Sequence, residues 1–225
     1  MNMPEMSEGL EFFRQMGEND AKLLFGKGSE KNFAKGASII MEGEKSLWFY
    51  IVLSGKVKIY KTSEDGREHI FHFARKGDYF GETSMMDGLP SPYSAMAVTS
   101  STVLAVKDTD LKDLMNTSPE ICRLFFRNVS GKMRKMLEMI EDLSFKNVPD
   151  RLAKILVDMA DHEGVKSGKN MILERNLTLY ELASMVGTVR EVITRSLQKL
   201  EKEGYITIAR QQIEILDLEG LRKYS

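Results

Sequence analysis

Residues 178–203 read TLYELASMVGTVREVITRSLQKLEKE, and this stretch decides how the C-terminal part of the chain folds. Thr178 is followed three residues later by Glu181, and Thr188 by Glu191, so the spacing of a capping box occurs twice. That spacing predicts two short helices, each starting where a threonine hydroxyl satisfies an otherwise orphaned N–H group. Gly187 lies between them, where a positive φ ends one helix and lets the next leave at a steep angle. The expected product is a helix-turn-helix.

At 100° per residue, Val189, Val192, Ile193, Ser196, Leu197 and Leu200 fall on one arc of the second helix. Arg190, Glu191, Thr194 and Arg195 take the opposite side within roughly 140°. An arginine presents two N–H donors to guanine O6 and N7, and a carboxylate accepts from cytosine N4, so this outward face suits a G·C-containing site in a major groove. Two plainer uses compete for the same residues: Glu191 as a helix cap, and Glu191 with Arg195 as an i,i+4 surface ion pair.

Composition narrows the remaining classes. A chain of 225 residues has room for two domains of ordinary size. A formal net charge of −1 gives no global basic footprint, so affinity for nucleic acid has to come from a local face. Cys122 is the sole cysteine, which excludes an internal disulfide and a cluster or zinc site built on several thiolates. The opening MNMPEMSEGLEFFRQMGEND has acids and glycine where a secretory peptide has a basic and then an apolar run, and no segment has the length of a membrane span. The expectation is a soluble cytoplasmic protein that does not engage a membrane.

Working outward from the helix pair, three stretches differ in periodicity. Residues from about Glu11 to Ser29 read as short helices. From Lys31 to about Lys107 the chain turns to short β-rich runs broken by glycines, and WFYIVLSGKVKIYKTSEDGREHIFHFA (48–74) reads as two strands, an Asp65-Gly66 turn and a third strand. This is the pattern of an antiparallel jelly roll, which encloses a cavity between two sheets. From Ser118 to Leu143 runs one long helix, with Ser118 as N-cap and Pro119 at the first helical position.

Along that helix Phe126, Val129, Met133, Met136, Ile140 and Leu143 alternate by three and four residues, the seam of a coiled coil. Ile121, Cys122, Phe125 and Leu137 widen the apolar surface, enough for the helix to touch both its own roll and a partner helix. A homodimer is the expected result, and its two-fold symmetry matches a palindromic operator. FKNVP (145–149) interrupts the helix, and Asn147 with Pro149 and Asp150 starts the next one. A helix to about His162, a Gly/Lys/Ser loop, the helix-turn-helix and the alternating GYITIARQQIEIL hairpin (204–216) make a winged helix, with Arg210 at the hairpin tip, positioned for a phosphate contact. The expected architecture is α+β: a β-roll effector domain over 1–117, a dimerisation helix and hinge over 118–146, and a winged helix-turn-helix over 147–225.

In order and spacing, FAKGASIIMEGE (33–44), WFYIVLSGKVKIY (48–60), GDYFGETSMMDGLP (77–90) and VGTVREVITRSLQKLEKEGYI (186–206) resemble the cyclic-AMP receptor protein / fumarate-nitrate regulator (Crp/Fnr) family over nearly the whole chain. The resemblance implies a dimer formed through the long helix, a small-molecule effector in the roll, and recognition helices set over an inverted repeat in double-stranded DNA. It places Arg190, Glu191 and Arg195 at the base-reading positions of members that recognise TGTGA-type half-sites, with Thr188 and Thr194 beside them. RNA polymerase is implied as a partner if the protein activates, with residues around Glu64–Glu68 and Val165–Lys169 as the surface loops concerned. Whether it activates or represses is not legible.

The resemblance also defines an effector pocket, and there the chain departs from the cyclic-nucleotide binders. Their Gly-Glu pair for the ribose is kept as Gly81 and Glu82, and the serine of their Arg-Ser pair as Ser94. Tyr93 stands where the phosphate-binding arginine belongs, and Met136 and Leu137 stand at the two adenine-contacting positions. Loss of the guanidinium removes a charge-assisted contact of about 1.5–3 kcal/mol, so the reading disfavours cyclic AMP and points to a more apolar or aromatic effector, or to none. An iron–sulfur cluster lacks its thiolates. Haem has candidate axial ligands in His69 and His72, but on a strand their three-residue spacing points them to opposite faces, so each reads as an ordinary strand histidine. The same spacing counts against a cupin-like metal enzyme, which needs histidines converging inside the roll. The other alternative is a dimeric structural protein whose helix pair merely packs; the outward Arg-Glu-Thr-Arg face argues against it.

Overall fold

The computed structural model describes residues 17–174, 177–209 and 212–225. The chain divides into two compact units, one ending at Met133 and the other spanning Arg134–Ser225.

The first unit is built around β3 (Trp48–Ser54), in which every residue from Phe49 to Leu53 is buried. Successive strand side chains point to opposite faces, so a strand apolar on both faces has to be covered on both. Tyr50 and Val52 point into the space between two sheets, with Val57, Ile59, Phe80 and Val103. Phe49, Ile51 and Leu53 join Leu24, Leu111, Ile121 and Phe125 in a second cluster. Those partners come from three helices: α1 (Glu18–Lys27), α3 (Asp108–Thr117) and α4 (Pro119–Phe145). The aromatic centre of this layer is Phe49, whose ring centroid lies 5.3 Å from those of both Tyr79 and Phe125.

The remaining strands are β1 (Gly28–Phe33), β2 (Ser38–Ile40), β4 (Val57–Thr62), β5 (Glu68–Ala74), β6 (Tyr79–Phe80), β7 (Ser94–Ala97) and β8 (Ser101–Lys107). They form two antiparallel sheets in the orders β1-β8-β3-β6 and β2-β7-β4-β5, the expected jelly roll. Gly66, at φ 80°, turns β4 into β5 as its Asp-Gly sequence predicts. A short helix, α2 (Glu82–Asp87), follows β6 and begins after Gly81.

Ser118 starts α4 as expected: its hydroxyl accepts from the Ile121 N–H at 3.3 Å and donates to Asp20 at 3.0 Å. The two ends of α4 differ in exposure. Ile121, Leu124 and Phe125 are buried in the roll's outer cluster, whereas Phe126, Met133, Met136, Leu137, Ile140 and Leu143 are exposed. Val129, expected in the same seam, is half-buried and packs against that outer cluster of its own unit.

In the second unit, α5 (Val148–Glu163) starts at Asn147 with a complete capping box to Asp150 and proline in its first turn. It packs against α6 (Leu179–Val186) and α7 (Arg190–Lys202), and these two against each other. The expected loop after α5 is instead a hairpin, β9 (Val165–Ser167) and β10 (Asn170–Glu174), turned at Gly168. It joins β11 (Ile206–Ile208) and β12 (Gln212–Ile215) in a sheet of order β11-β12-β10-β9. The lysines, serine and two glycines of residues 164–169 hid a strand that is held mainly by backbone pairing to β10. A last helix, α8 (Leu218–Tyr224), was not legible in the sequence and buries Leu221. Among the described residues no helix is long and apolar enough to cross a membrane.

Candidate nucleic-acid interface and ligand cradle

The helix-turn-helix is set by α6 and the turn after it. Thr178 caps α6 with a full capping box: its hydroxyl accepts from the Glu181 N–H at 3.1 Å, and the Glu181 carboxylate accepts from the Thr178 N–H at 2.8 Å. Gly187 ends α6 in the left-handed region, φ 75° and ψ 48°. The second expected capping box does not form. Helix α7 starts one residue later than its sequence grammar predicts, with Val189 as N-cap and no side-chain cap bond. Thr188 is taken into the turn, its N–H donating to the Ala183 carbonyl at 2.9 Å, and this leaves Glu191 at the second helical position, out of capping register.

Ile193, Ser196, Leu197 and Leu200 form the buried side of α7, and Val192 is half-buried. Val189 departs from the expected apolar arc: it lies before the helix proper, where the 100° periodicity no longer applies, and is 45% exposed. On the other side Arg190, Glu191 and Arg195 are exposed, and Thr188 and Thr194 are half-buried. The Thr194 hydroxyl donates to the Arg190 carbonyl at 3.0 Å, which uses its one donor and leaves it an acceptor only. Neither plainer use of Glu191 is realised, since it caps nothing and pairs with no arginine or lysine among the described residues. Arg210, expected at the hairpin tip, lies outside the described residues.

Behind this face sits a polar joint. Arg151, on α5, donates from Nε to the carbonyl of Val186, the last residue of α6, at 3.0 Å, and from Nη1 to the Lys146 carbonyl at 2.8 Å. Both carbonyls are orphaned by helix ends, so one planar guanidinium satisfies two of them. Asp142, near the end of α4, is paired with Lys146 at 2.9 Å and with Lys154 of α5. Burial pushes the Asp142 carboxyl up, but the hydrogen bonds and charges of Lys154 and Lys146 outweigh it and hold the group below its ordinary value. Neither Arg151 nor Asp142 was singled out from the sequence; their partners lie up to 35 residues away, and the only local hint is a cation in the first turns of α5.

In the first unit, Gly81 takes φ 90°, and a Cβ there would come within 2.5 Å of the Trp48 carbonyl oxygen, so this position demands glycine. Its N–H donates to the Tyr93 hydroxyl at 2.8 Å. Glu82 is 7% exposed, and its Oε1 accepts from Lys132 Nζ of α4 at 2.6 Å. Lys132 also donates to the Tyr79 carbonyl at 3.1 Å and stands 3.8 Å from the Tyr79 ring centroid. Glu82 Oε2 is buried with no hydrogen-bond partner among the described residues. Burial first, and then the Glu82 charge, pushes the Tyr93 phenol well above its ordinary value, so it stays neutral. Ser94 Oγ accepts from the Glu42 N–H at 3.0 Å. Met136 and Leu137, expected beside these residues, fall in the second unit and are 61% and 65% exposed. The sequence reading missed Lys132, whose contact with Glu82 spans 50 residues.

Residues 30–118 match the cyclic nucleotide-binding domain family, and residues 150–224 the Crp-like helix-turn-helix domain family. A CRP-like cAMP-activated global transcriptional regulator of Mycobacterium tuberculosis is 31% identical over 192 residues, covering 85% of this chain and 86% of that protein. The chain belongs to the CRP/FNR family of transcription regulators. A solved CRP/FNR-family transcriptional regulator of Thermus thermophilus superposes with a TM-score of 0.73 at 27% identity, covering 87% of this chain and 97% of the other. FixK2 of Bradyrhizobium japonicum, at 24% identity and a TM-score of 0.76, covers 88% of this chain and 97% of its own, and shares the fold.

For this CRP/FNR regulator the joint at Asp142 carries a pH signature. A carboxylate whose folded pKa is depressed contributes stability that is present above its unfolded value, about 3.9, and is lost as pH falls through the folded pKa. We expect Asp142→Asn to melt at a lower temperature than the parent at pH 7, with the gap closing in acid below the depressed pKa. Thermal melts of both proteins across that range check it; a gap independent of pH would remove the ion pair as its cause.

Proposed function

We propose that the protein is a homodimeric, sequence-specific transcription regulator in which α7 enters the major groove and Arg190, Glu191 and Arg195 read base edges of a palindromic TGTGA-like site. One observation carries the reading: two guanidinium groups and a carboxylate stand exposed on a helix whose opposite side is buried, and the carboxylate has neither of its plainer partners. Thr188 and Thr194 flank this face, and a phosphate contact by Arg210 completes it. The apolar side chains exposed on α4, Phe126, Met133, Met136, Ile140 and Leu143, are the surface through which two copies pair. RNA polymerase is the further partner if the regulator activates, and the cytoplasm is its place.

The effector in this reading is a small molecule other than cyclic AMP, held by Gly81, Glu82, Tyr93 and Ser94. A cyclic phosphate is a poor match for the residues present. The neutral Tyr93 hydroxyl already holds the Gly81 N–H, and Lys132, a cation near enough to balance an anion, is committed to Glu82. The buried, unpartnered Glu82 Oε2 favours a ligand bearing a hydrogen-bond donor.

Three measurements test these parts separately. Arg190→Ala and Arg195→Ala are each expected to weaken operator binding by about 1–3 kcal/mol and to relax specificity at one base pair; unchanged affinity and specificity in both variants refutes the base-reading assignment. Met133→Glu places a charge in the seam and is expected to give monomers by sedimentation, so a persistent dimer discards this seam. Calorimetry with cyclic AMP is expected to give no submicromolar binding, and such binding would overturn the view of the pocket.

A further inference from the structure

The start of α7 contains a residue that serves neither of the purposes open to it. Val189 occupies the N-cap in extended backbone, φ −109° and ψ 158°, where Ser, Thr, Asp and Asn are favoured because their side chains accept an orphaned N–H. The neighbouring α5 and α6 both use that device, through Asn147 and Thr178. Valine offers no acceptor, so α7 does without it. Nor is Val189 placed to pack, being 45% exposed while Ile193, Leu197 and Leu200 of the same helix are at most 3% exposed. An apolar group is therefore held in solvent at the cost of a helix cap, directly before Arg190 and Glu191.

We propose that Val189 is a specificity-determining residue that packs its isopropyl group on the C5-methyl of a thymine in each half-site, an inference that rests on the reading of α7 as the groove-entering helix. The first residues of such a helix come closest to base edges, and the thymine methyl is the apolar feature that a major groove displays. An isopropyl group has no donor for a phosphate and no acceptor for an exocyclic amine, which leaves the methyl as its matching chemistry.

The test uses the full-length chain. Duplexes are selected from a randomised pool, and the selected site is remade with each thymine singly replaced by deoxyuridine, which removes the methyl and nothing else. We expect one thymine per half-site at which this replacement weakens binding about fourfold, as for one buried methylene-sized group. Val189→Ala is expected to bind the thymine and uracil duplexes equally. Val189→Ser restores a cap and is expected to raise the ratio of folded to unfolded protein about fivefold, while also losing the discrimination. A selected duplex whose binding depends on Arg190 but on no thymine methyl, or a Val189→Ala protein that still discriminates, overturns the valine assignment alone. Failure to select any duplex overturns the reading of α7 and the inference together. Loss of folding in both Val189 variants marks a structural residue and also overturns it.

Discussion

Burial of Ile193, Leu197 and Leu200 fixes the rotation of α7 about its own axis, because a helix with that much apolar surface in the core cannot turn without dragging it into water. At 100° per residue, fixing those positions fixes Arg190, Glu191 and Arg195 as well, and they are left facing outward. The left-handed Gly187 sets where the helix begins, and the Arg151 guanidinium holds the end of α6. The chemistry of the outward face thus depends on the packing of the inward one. With a formal net charge of −1, the chain has no bulk attraction for a polyanion, so affinity for one would have to come from a local face.

The same division of labour recurs along α4. Its first turns are committed to the roll through Ile121, Leu124 and Phe125, and Lys132 is drawn toward Glu82. Beyond that point Met133, Met136, Leu137, Ile140 and Leu143 have no cover among the described residues, with exposures of 44–65%, while Met139 is half-buried. Single exposed apolar residues are ordinary; a row of them at helical spacing is a surface that lowers its free energy by association. Val129 marks where the two tasks change over, since its spacing assigns it to the outer row while its packing assigns it to the core.

Much of this was legible in the residues, for identifiable reasons. The Asp65-Gly66 turn, the Asn147 cap and the Thr178 cap act over three or four residues, and each formed as read. The Thr188-x-x-Glu191 spacing failed because the turn takes three residues, 187–189, and Thr188 lies inside it, its N–H bonded to the Ala183 carbonyl, one residue short of the N-cap. The β9 strand was hidden by its polar composition and is held by its neighbour, a tertiary effect that local propensity does not carry. Of the cradle, Gly81 and Glu82 were visible and Lys132 was not; of the joint behind α7, neither Arg151 nor Asp142 was. Charge pairs that close loops of 12 to 50 residues leave no periodic trace in a sequence.

Those unread pairs also bear on how the tail of α4 is joined to the helix-turn-helix. Asp142 ties the end of α4 to Lys154 of α5, and Arg151, one helical turn before Lys154, ties the residues after α4 to the last carbonyl of α6. Each bond is charge-assisted and partly shielded from water, so breaking one leaves an unpaired charge or a bare carbonyl that costs more than the bond itself returns. The tail of α4, the first turns of α5 and the turn of the helix-turn-helix are therefore coupled by bonds that favour movement as one block. The Arg151 bond ends on the carbonyl of Val186, next to Gly187, so the guanidinium that closes this joint also supports the turn from which α7 starts.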